Sequence, residues 1–560
     1  MVFPGAEIAR YAFLYAEESL RRARAAVLSL PLPRWPGGAT PQLLVAPTDL
    51  RIADPLEGED IVSGRFAFAG ELLLTEGRPL FSCEMPSPTF ERIVSGFGWL
   101  RHLRTQRDSS ANEFARAAVL SFLRRHRTRT GPSWTTETVA TRLNAWLCHS
   151  TVILKGADAA FYRRFIDAVI RHERLLRRRY RGMARDELKL QVAMTLAMAS
   201  ISLDLSDRHK SEARQRLDDE LALQILPDGG HISRCPDALL RLLLGLLPLR
   251  QTYINLEQPL PKRLLASIDR AYAALNFFRH SDGELALFNG SGRVPSTALS
   301  ALLRYDEIGS AGFKALPHTG FQRLEAGGTV LIADAGKPLS AHLSKTAHAG
   351  ATAFELSSGR NRFIVNAGVP ASPRGDAARM ARATAAHSTA TIDDHSSIRF
   401  SRSDFLGPVA FGGLRHIAVE RDEDERGDDR LVMRHDGYLS RFRIYCERSL
   451  ALSPDGRALS GTDRFRRPHD ALPLAREGHV ATIRFHLHPS IWTMREDAET
   501  IFMTAPDNES WLFTAPGLSP ELEDDVYFAA SSGAKASRQI VITADVAEHA
   551  DIAWQFKRLD

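Results

Sequence analysis

Cysteine is scarce in this chain. Four residues in 560, Cys83, Cys148, Cys235 and Cys446, lie far apart with no CxxC spacing. That excludes a disulfide framework and a thiolate zinc site, and fits buried free thiols. No apolar run has membrane length. The longest, residues 238–249, is interrupted by Arg241 and Pro248 and falls short of the roughly 20 residues a spanning helix needs. The first 16 residues show no basic segment followed by an apolar one, so no secretory signal is expected and that sign points to the cytoplasm. HExxH, a P-loop, GxGxxG and GxSxG are all missing, which leaves a nucleotide-dependent enzyme or a serine hydrolase without support. Neither nucleic acid nor a required cofactor is expected.

What is present reads as a folded protein of several domains. Hydrophobic residues make up 44% and charged residues 25% of the chain, the balance of a globular protein rather than a disordered or collagenous one. At about 150 residues per domain, the length suggests two to four domains. The net charge of +5 is unevenly spread. Residues 1–320 hold 43 basic and 34 acidic side chains; the rest holds 29 and 33. A basic half joined to an acidic half suggests an anionic partner for the first half. The alternative is that these arginines sit on solvated helix faces.

Periodicity divides the chain near residue 320. Apolar residues recur at helical spacing over about 109–126, 135–153, 158–179, 185–204, 208–225, 235–247, 261–279 and 295–305. Breakers such as Gly131-Pro132 and Gly290-Ser291-Gly292 separate these segments. Residues 238–247 are apolar on nearly every side, so that helix belongs inside a ring of other helices. An amphipathic helix over 6–29 and a strand-like lead-in around 50–74 precede the ring. After Thr319 the period changes to two, as in residues 328–334, 362–366, 439–445, 482–488 and 539–544. Short strands with turn residues between them read as an antiparallel β-sandwich. Residues 407–413 and 422–429 read as loops. The expected fold is therefore α+β and multidomain: a lead-in over 1–107, an incomplete (α/α) toroid over 108–318 and a sandwich over 319–560.

Candidate functional residues come from histidines and one loop. His486 and His488 alternate on a predicted strand, a spacing that suits either a metal or a packed face. His348 and His387 stand in small-residue surroundings, Ala347-His-Ala-Gly350 and Arg382-Ala-Thr-Ala-Ala-His387, which leave room for a ligand or for another backbone. The loop Pro227-Asp-Gly-Gly-His-Ile-Ser-Arg-Cys-Pro236 joins two helices and presents His231 and Arg234. Loops held by a rigid scaffold commonly carry function; otherwise Asp228 and the glycines simply make the turn.

That loop, followed by Ala347-His-Ala-Gly-Ala-Thr-Ala-Phe-Glu-Leu356, Phe363-Ile-Val-Asn-Ala-Gly368 and Arg382-Ala-Thr-Ala-Ala-His-Ser-Thr389, resembles the heparinase II/III family of polysaccharide lyases. The resemblance covers most of the chain. It implies a toroid followed by a sandwich, an anionic polysaccharide as partner, β-elimination at a uronate, and a place in the periplasm or cell envelope. It leaves the oligomeric state open.

Elimination needs a group to neutralise the carboxylate beside the acidic proton, a base to remove that proton and an acid for the leaving oxygen. Family members typically use a Tyr as acid or base, with Asn or His at the carboxylate. Here the Asn-His pair reads Asp186-Glu187, the tyrosine falls at Ala238, and of the His-x-His only His348 remains. The implied zinc positions are His348, His387 and Asn366, and Asn in place of Asp weakens such a site. Three readings follow. In an active lyase, His231 and Arg234 hold the carboxylate and Tyr253 or Tyr438 replaces the tyrosine, with Glu187 among the catalytic groups and Arg382 and Asp186 touching substrate. In the second, a glycan-binding or assembly protein keeps the cleft without the chemistry. In the third, a toroid hydrolase uses Asp186, Glu187 and Asp228 as acids.

Overall fold

The computed structural model describes residues 5–29, 41–106, 108–126, 129–306, 312–370, 375–468, 478–530 and 532–559. Helices Ser110–Arg125, Thr136–Cys148, Ala159–Tyr180, Glu187–Ser202, Asp207–Gln224, Pro236–Asn255 and Leu264–Phe277 form the helical half. Glu187–Ser202 is buried along most of its length and packs against several neighbouring helices. Small side chains permit this closeness: a Cβ on Gly245 would lie 2.4 Å from Met194 Cε. The helix expected to stop at residue 247 runs on to Asn255 with Pro248 inside it. Proline removes one helical N–H bond, but burial of Leu246, Leu247, Leu249 and Tyr253 on the same helix favours continuation.

The lead-in differs from its expected strand. Residues 49–54 are not in a strand; Asp54 caps helix Pro55–Val62 through the N–H groups of Leu56 and Glu57. A two-stranded hairpin, Arg65–Phe68 with Glu71–Leu74, follows.

Among the described residues, the last helix of the helical half ends at Leu303 and strand pairing starts at Ala315–Leu316. Two antiparallel sheets make up the sandwich. One runs in the order Glu521–Tyr527, Lys535–Asp545, Val480–Leu487, Asn361–Val365, Phe354–Ser358, Thr329–Asp334, Phe321–Ala326, Ala315–Leu316. The other runs Ile417–Glu423, Asp429–His435, Tyr445–Leu452, Ala458–Arg466, Asp551–Arg558, Ser510–Thr514, Thr500–Thr504, Trp492–Arg495. Alternation does what it should: Tyr445–Leu452 buries every second residue. Phe354 and Phe485 of one sheet meet Trp554 of the other at ring separations of 5.8 and 4.7 Å. Gly461 gives the Trp554 ring its place, since a Cβ there would come within 2.1 Å of it.

Two local expectations fail. Residues 439–445 are not one strand: Leu439–Phe442 is a helical turn, Arg443 turns left-handed at φ 56°, and the strand begins at Tyr445. Alternation over so few residues does not separate a turn from a strand once Tyr438 and Phe442 are both buried on one side. Likewise, part of the expected loop 407–413 pairs as strand Ala410–Gly413, and strands close in on both sides of the 422–429 loop.

The N-terminal helix, Gly5–Ser29, is a strap across both halves. Tyr11 and Tyr15 bond Ser401 and Ser403, Arg22 donates to Phe405 O, and Glu7 pairs with Arg399, all on the sandwich side. On the toroid side, Arg24 donates to Arg181 O and Arg179 donates to Ser29.

Candidate functional site

The glycine loop forms the seam between toroid and sandwich. Gly229 adopts φ 86°, and a Cβ there would lie 1.9 Å from Arg270 O; one on Gly230 would lie 1.9 Å from Thr319 Oγ1. Asp228 caps the loop through Gly230 N and accepts from both the N–H and the hydroxyl of Thr319, each at 2.7 Å.

Arg234, expected to grip a uronate carboxylate, turns inward instead. It is 9% exposed and adopts φ 58°. Its guanidinium pairs with Asp334, donates to the carbonyls of Thr319, Gly320 and Lys337, and lies over the Phe321 ring at 5.0 Å. Asn289 ties the pair to the next group, donating to Arg234 O and Asp334 while accepting from His348 N. The loop reading was apt about position; the partner, 100 positions away, is not visible in the loop itself.

His231 is buried between Ser233 Oγ at 2.7 Å and Gln224 Oε1 at 3.0 Å. Gln224 hands the network on to Glu220, which also takes the Tyr180 hydroxyl and Lys189. Burial pushes the His231 imidazole down to about 4, so it is neutral at pH 7. The two candidate tyrosines are buried in separate halves. Tyr438 donates its hydroxyl to Ala390 O and His395 O, both at 3.0 Å, and burial holds its proton well above the ordinary value. Tyr253 lies in the toroid core, its phenol pushed up to about 12 by burial. Neither is placed beside His231 or His348 by any contact, and a tyrosine shifted upward is a poorer base.

Glu187 grips Arg241 through two bonds of 2.6 and 2.8 Å, and Arg241 also pairs with Asp237. Asp186 caps the helix that begins at Glu187 by accepting from Lys189 N. Arg382 donates to four backbone carbonyls, of Ser344, Lys345, Ala347 and Pro408, and covers Phe400. That arginine fastens the loops carrying His348 rather than facing an opening.

His348 and His387 do come together: Nδ1 of the first is 3.1 Å from Nε2 of the second. His387 Nδ1 faces Ala383 O, so its Nε2 is free to accept from His348. Burial pushes both well down, His387 to about 4. Asn366 is occupied elsewhere, donating to Glu355 and accepting from Ser388 N. Among the described residues no cluster of three or more His, Cys, Asp or Glu side chains has metal-binding geometry. Two mutually bonded imidazoles and an engaged amide do not fit a zinc centre. His486 bonds Asp525 at 2.7 Å and His488 bonds Ser490 at 2.7 Å, so these two also go separate ways.

The open space lies beside this seam. A cavity of about 880 Å³ is enclosed by the N-terminal helix, the 182–188 segment of the toroid and the 340–345 loop of the sandwich. Its charged lining is Arg10, Arg21, Arg179, Arg185, His342 and Lys345 against Glu17, Glu18 and Asp186. Of these, only Asp186 was singled out from the sequence. The basic excess of residues 101–200, 20 Lys and Arg against 8 Asp and Glu, was the available signal for Arg179 and Arg185.

Comparison with known proteins agrees with this architecture. Residues 308–555 match the heparinase II/III-like C-terminal family. It is 29% identical over 545 residues to FtsZ-localized protein C of Caulobacter vibrioides, spanning 95% of this chain and 92% of that one. Its fold is that of heparinase III (TM-score 0.70, 12% identity, covering 99% of this chain and 92% of the other). A heparan sulfate lyase HepC mutant from Pedobacter heparinus is also similar (TM-score 0.63, 16% identity, 99% and 89% covered).

Proposed function

We propose that this chain is a non-catalytic member of its family, a binding and assembly protein of the cell envelope that holds an anionic glycan in the interdomain cavity without cleaving it. One observation carries the reading. The side chains that elimination would call on, Arg234, His231, Tyr253 and Tyr438, are all buried, and Arg234 and Tyr438 spend their polar atoms on internal bonds. Releasing Arg234 would mean breaking its bonds across the seam that joins the domains. The cavity lining keeps cations that suit a polyanion, with Lys345 from the sandwich and Arg185 from the toroid. The similarity to an FtsZ-localized protein over nearly the full length of both chains supports a station at the division machinery.

Product analysis tests this. Purified protein is incubated with heparan sulfate, alginate and polygalacturonate, and binding is measured by calorimetry. The expected outcome is saturable binding of at least one polymer, weakened at least tenfold in Lys345→Glu, with no unsaturated and no new reducing ends. Unsaturated ends identify a lyase; saturated new reducing ends identify a hydrolase; no binding at all removes the glycan. A fluorescent fusion that fails to gather at the division site removes the assembly station.

A further inference from the structure

The N-terminal helix has two faces, and only the inner one is used by the strap. On its outer face Ala9, Phe13, Ala16, Leu20, Ala23 and Val27 recur at spacings of four, three, four, three and four. All six are exposed, with Phe13 at 66%, Leu20 at 73% and Val27 at 64%. Among the described residues nothing covers them. An apolar stripe at this spacing over about five helical turns is the pattern of a coiled-coil seam.

We propose that this seam docks the same helix of a second copy of the chain, antiparallel. Two complementarities select that occupant. When the two helices run in opposite directions and overlap from Ala9 to Val27, Leu20 faces Ala16 of the second copy, Phe13 faces Ala23 and Val27 faces Ala9. Every large side chain thereby meets a small one, which lets the helices approach closely. The flanking positions on one side are Arg10, Glu17 and Arg24, and on this side Arg10, Phe13 and Glu17 also border the interdomain cavity. Helical side chains lean toward their own N-terminus, so Glu17 leans toward Arg24 of the second copy and Arg24 toward its Glu17. Arg24 spends one N–H on Arg181 O and keeps others for this. The exposed apolar face also takes in Ile8, Ala12 and Ala26 on its other flank; Glu17 at its edge, where a membrane-surface helix carries basic residues, favours the second copy.

Light scattering and sedimentation of the full chain test the proposal. The parent is expected at twice the chain mass and Leu20→Glu at the chain mass; because Leu20 faces solvent within its own copy, the variant melts as the parent does at dilutions where the parent is itself monomeric. Glu17→Arg and Arg24→Glu each weaken association about tenfold, and the double variant restores it. Mixing Ala16→Cys with Leu20→Cys under oxidation gives a disulfide-linked pair, against the low background of four buried native cysteines. A parent that stays monomeric at every concentration overturns the proposal, as does Leu20→Glu remaining a dimer. Preferential linking of Ala16→Cys to itself overturns the antiparallel arrangement. If the monomer binds phosphatidylglycerol vesicles and Leu20→Glu does not, the face serves a membrane and the proposal fails.

Discussion

Replacing Arg234 by methionine separates a rivet from a receptor. The side chain pairs with Asp334 and donates to three carbonyls across the seam. Methionine keeps much of the stem's volume and removes the charge, leaving Asp334 buried without its cation. Breaking a buried pair from one side costs about 3–5 kcal/mol. For a domain of 150–250 residues, each kcal/mol lowers Tm by about 2–4 °C, so the expected loss is roughly 6–20 °C. Removing Asp334 as well, in Arg234→Met/Asp334→Leu, should return part of that loss, because the stranded charge goes with it; the double-mutant cycle measures the coupling. Scanning calorimetry reads stability, and isothermal titration with the best-bound glycan reads affinity. The expected pattern is a large Tm loss with glycan affinity unchanged at a temperature where the variant is folded. A variant of unaltered Tm whose glycan affinity collapses would refute the reasoning and return Arg234 to the role of carboxylate receptor.

Three further outcomes are expected. Tyr438→Phe removes a hydroxyl bonded to two carbonyls and should cost about 1–3 kcal/mol in urea unfolding, with the glycan-binding isotherm unmoved. His231 and His387 are held at about 4 by burial, below the 6.5 of an unfolded histidine, so the unfolded chain binds more protons between those values. Stability is therefore full above pH 6.5 and declines toward pH 4, by roughly 3 kcal/mol for each such histidine; urea midpoints at pH 7 and pH 5 should converge in His231→Gln and His387→Gln. Equimolar zinc should leave Tm unchanged and metal analysis should find less than one zinc per chain, whereas stoichiometric zinc lost in His387→Ala would restore the metal site.

The sequence revealed periodicity well and partnership poorly. The helices of the toroid and strands such as Thr329–Asp334 and Asn361–Val365 follow from apolar spacing, because burial acts on every turn or every second residue. Pro248 and the turn at 439–442 escaped because one buried neighbour outweighs a local propensity. His348 and His387 were paired as zinc positions implied by the family resemblance, and the structure sets them 3.1 Å apart. The roles of Arg234 and His231 were not legible. Each depends on which polar atom waits in the fold: Asp334 for one, Gln224 for the other. An arginine on a glycine loop reads the same whether it points outward to a ligand or inward to a carboxylate. A cleft between the domains was expected, but its lining was missed because it is assembled from three distant segments, and the strap that roofs it looked in sequence like an ordinary amphipathic helix.

The strap also sets a timetable. Tyr11 bonds Ser401, 390 positions later. At about 5–20 residues per second, a ribosome needs roughly 20–80 s to bring the second residue out after the first. Throughout that interval both faces of the helix are bare, the inner one with Tyr11, Leu14 and Tyr15 as well as the outer one with Leu20 and Val27. The nascent chain must carry an unsheltered apolar segment until its last third is made. A chaperone, or the helix of a neighbouring nascent chain on the same message, therefore has access to this segment before its own sandwich does.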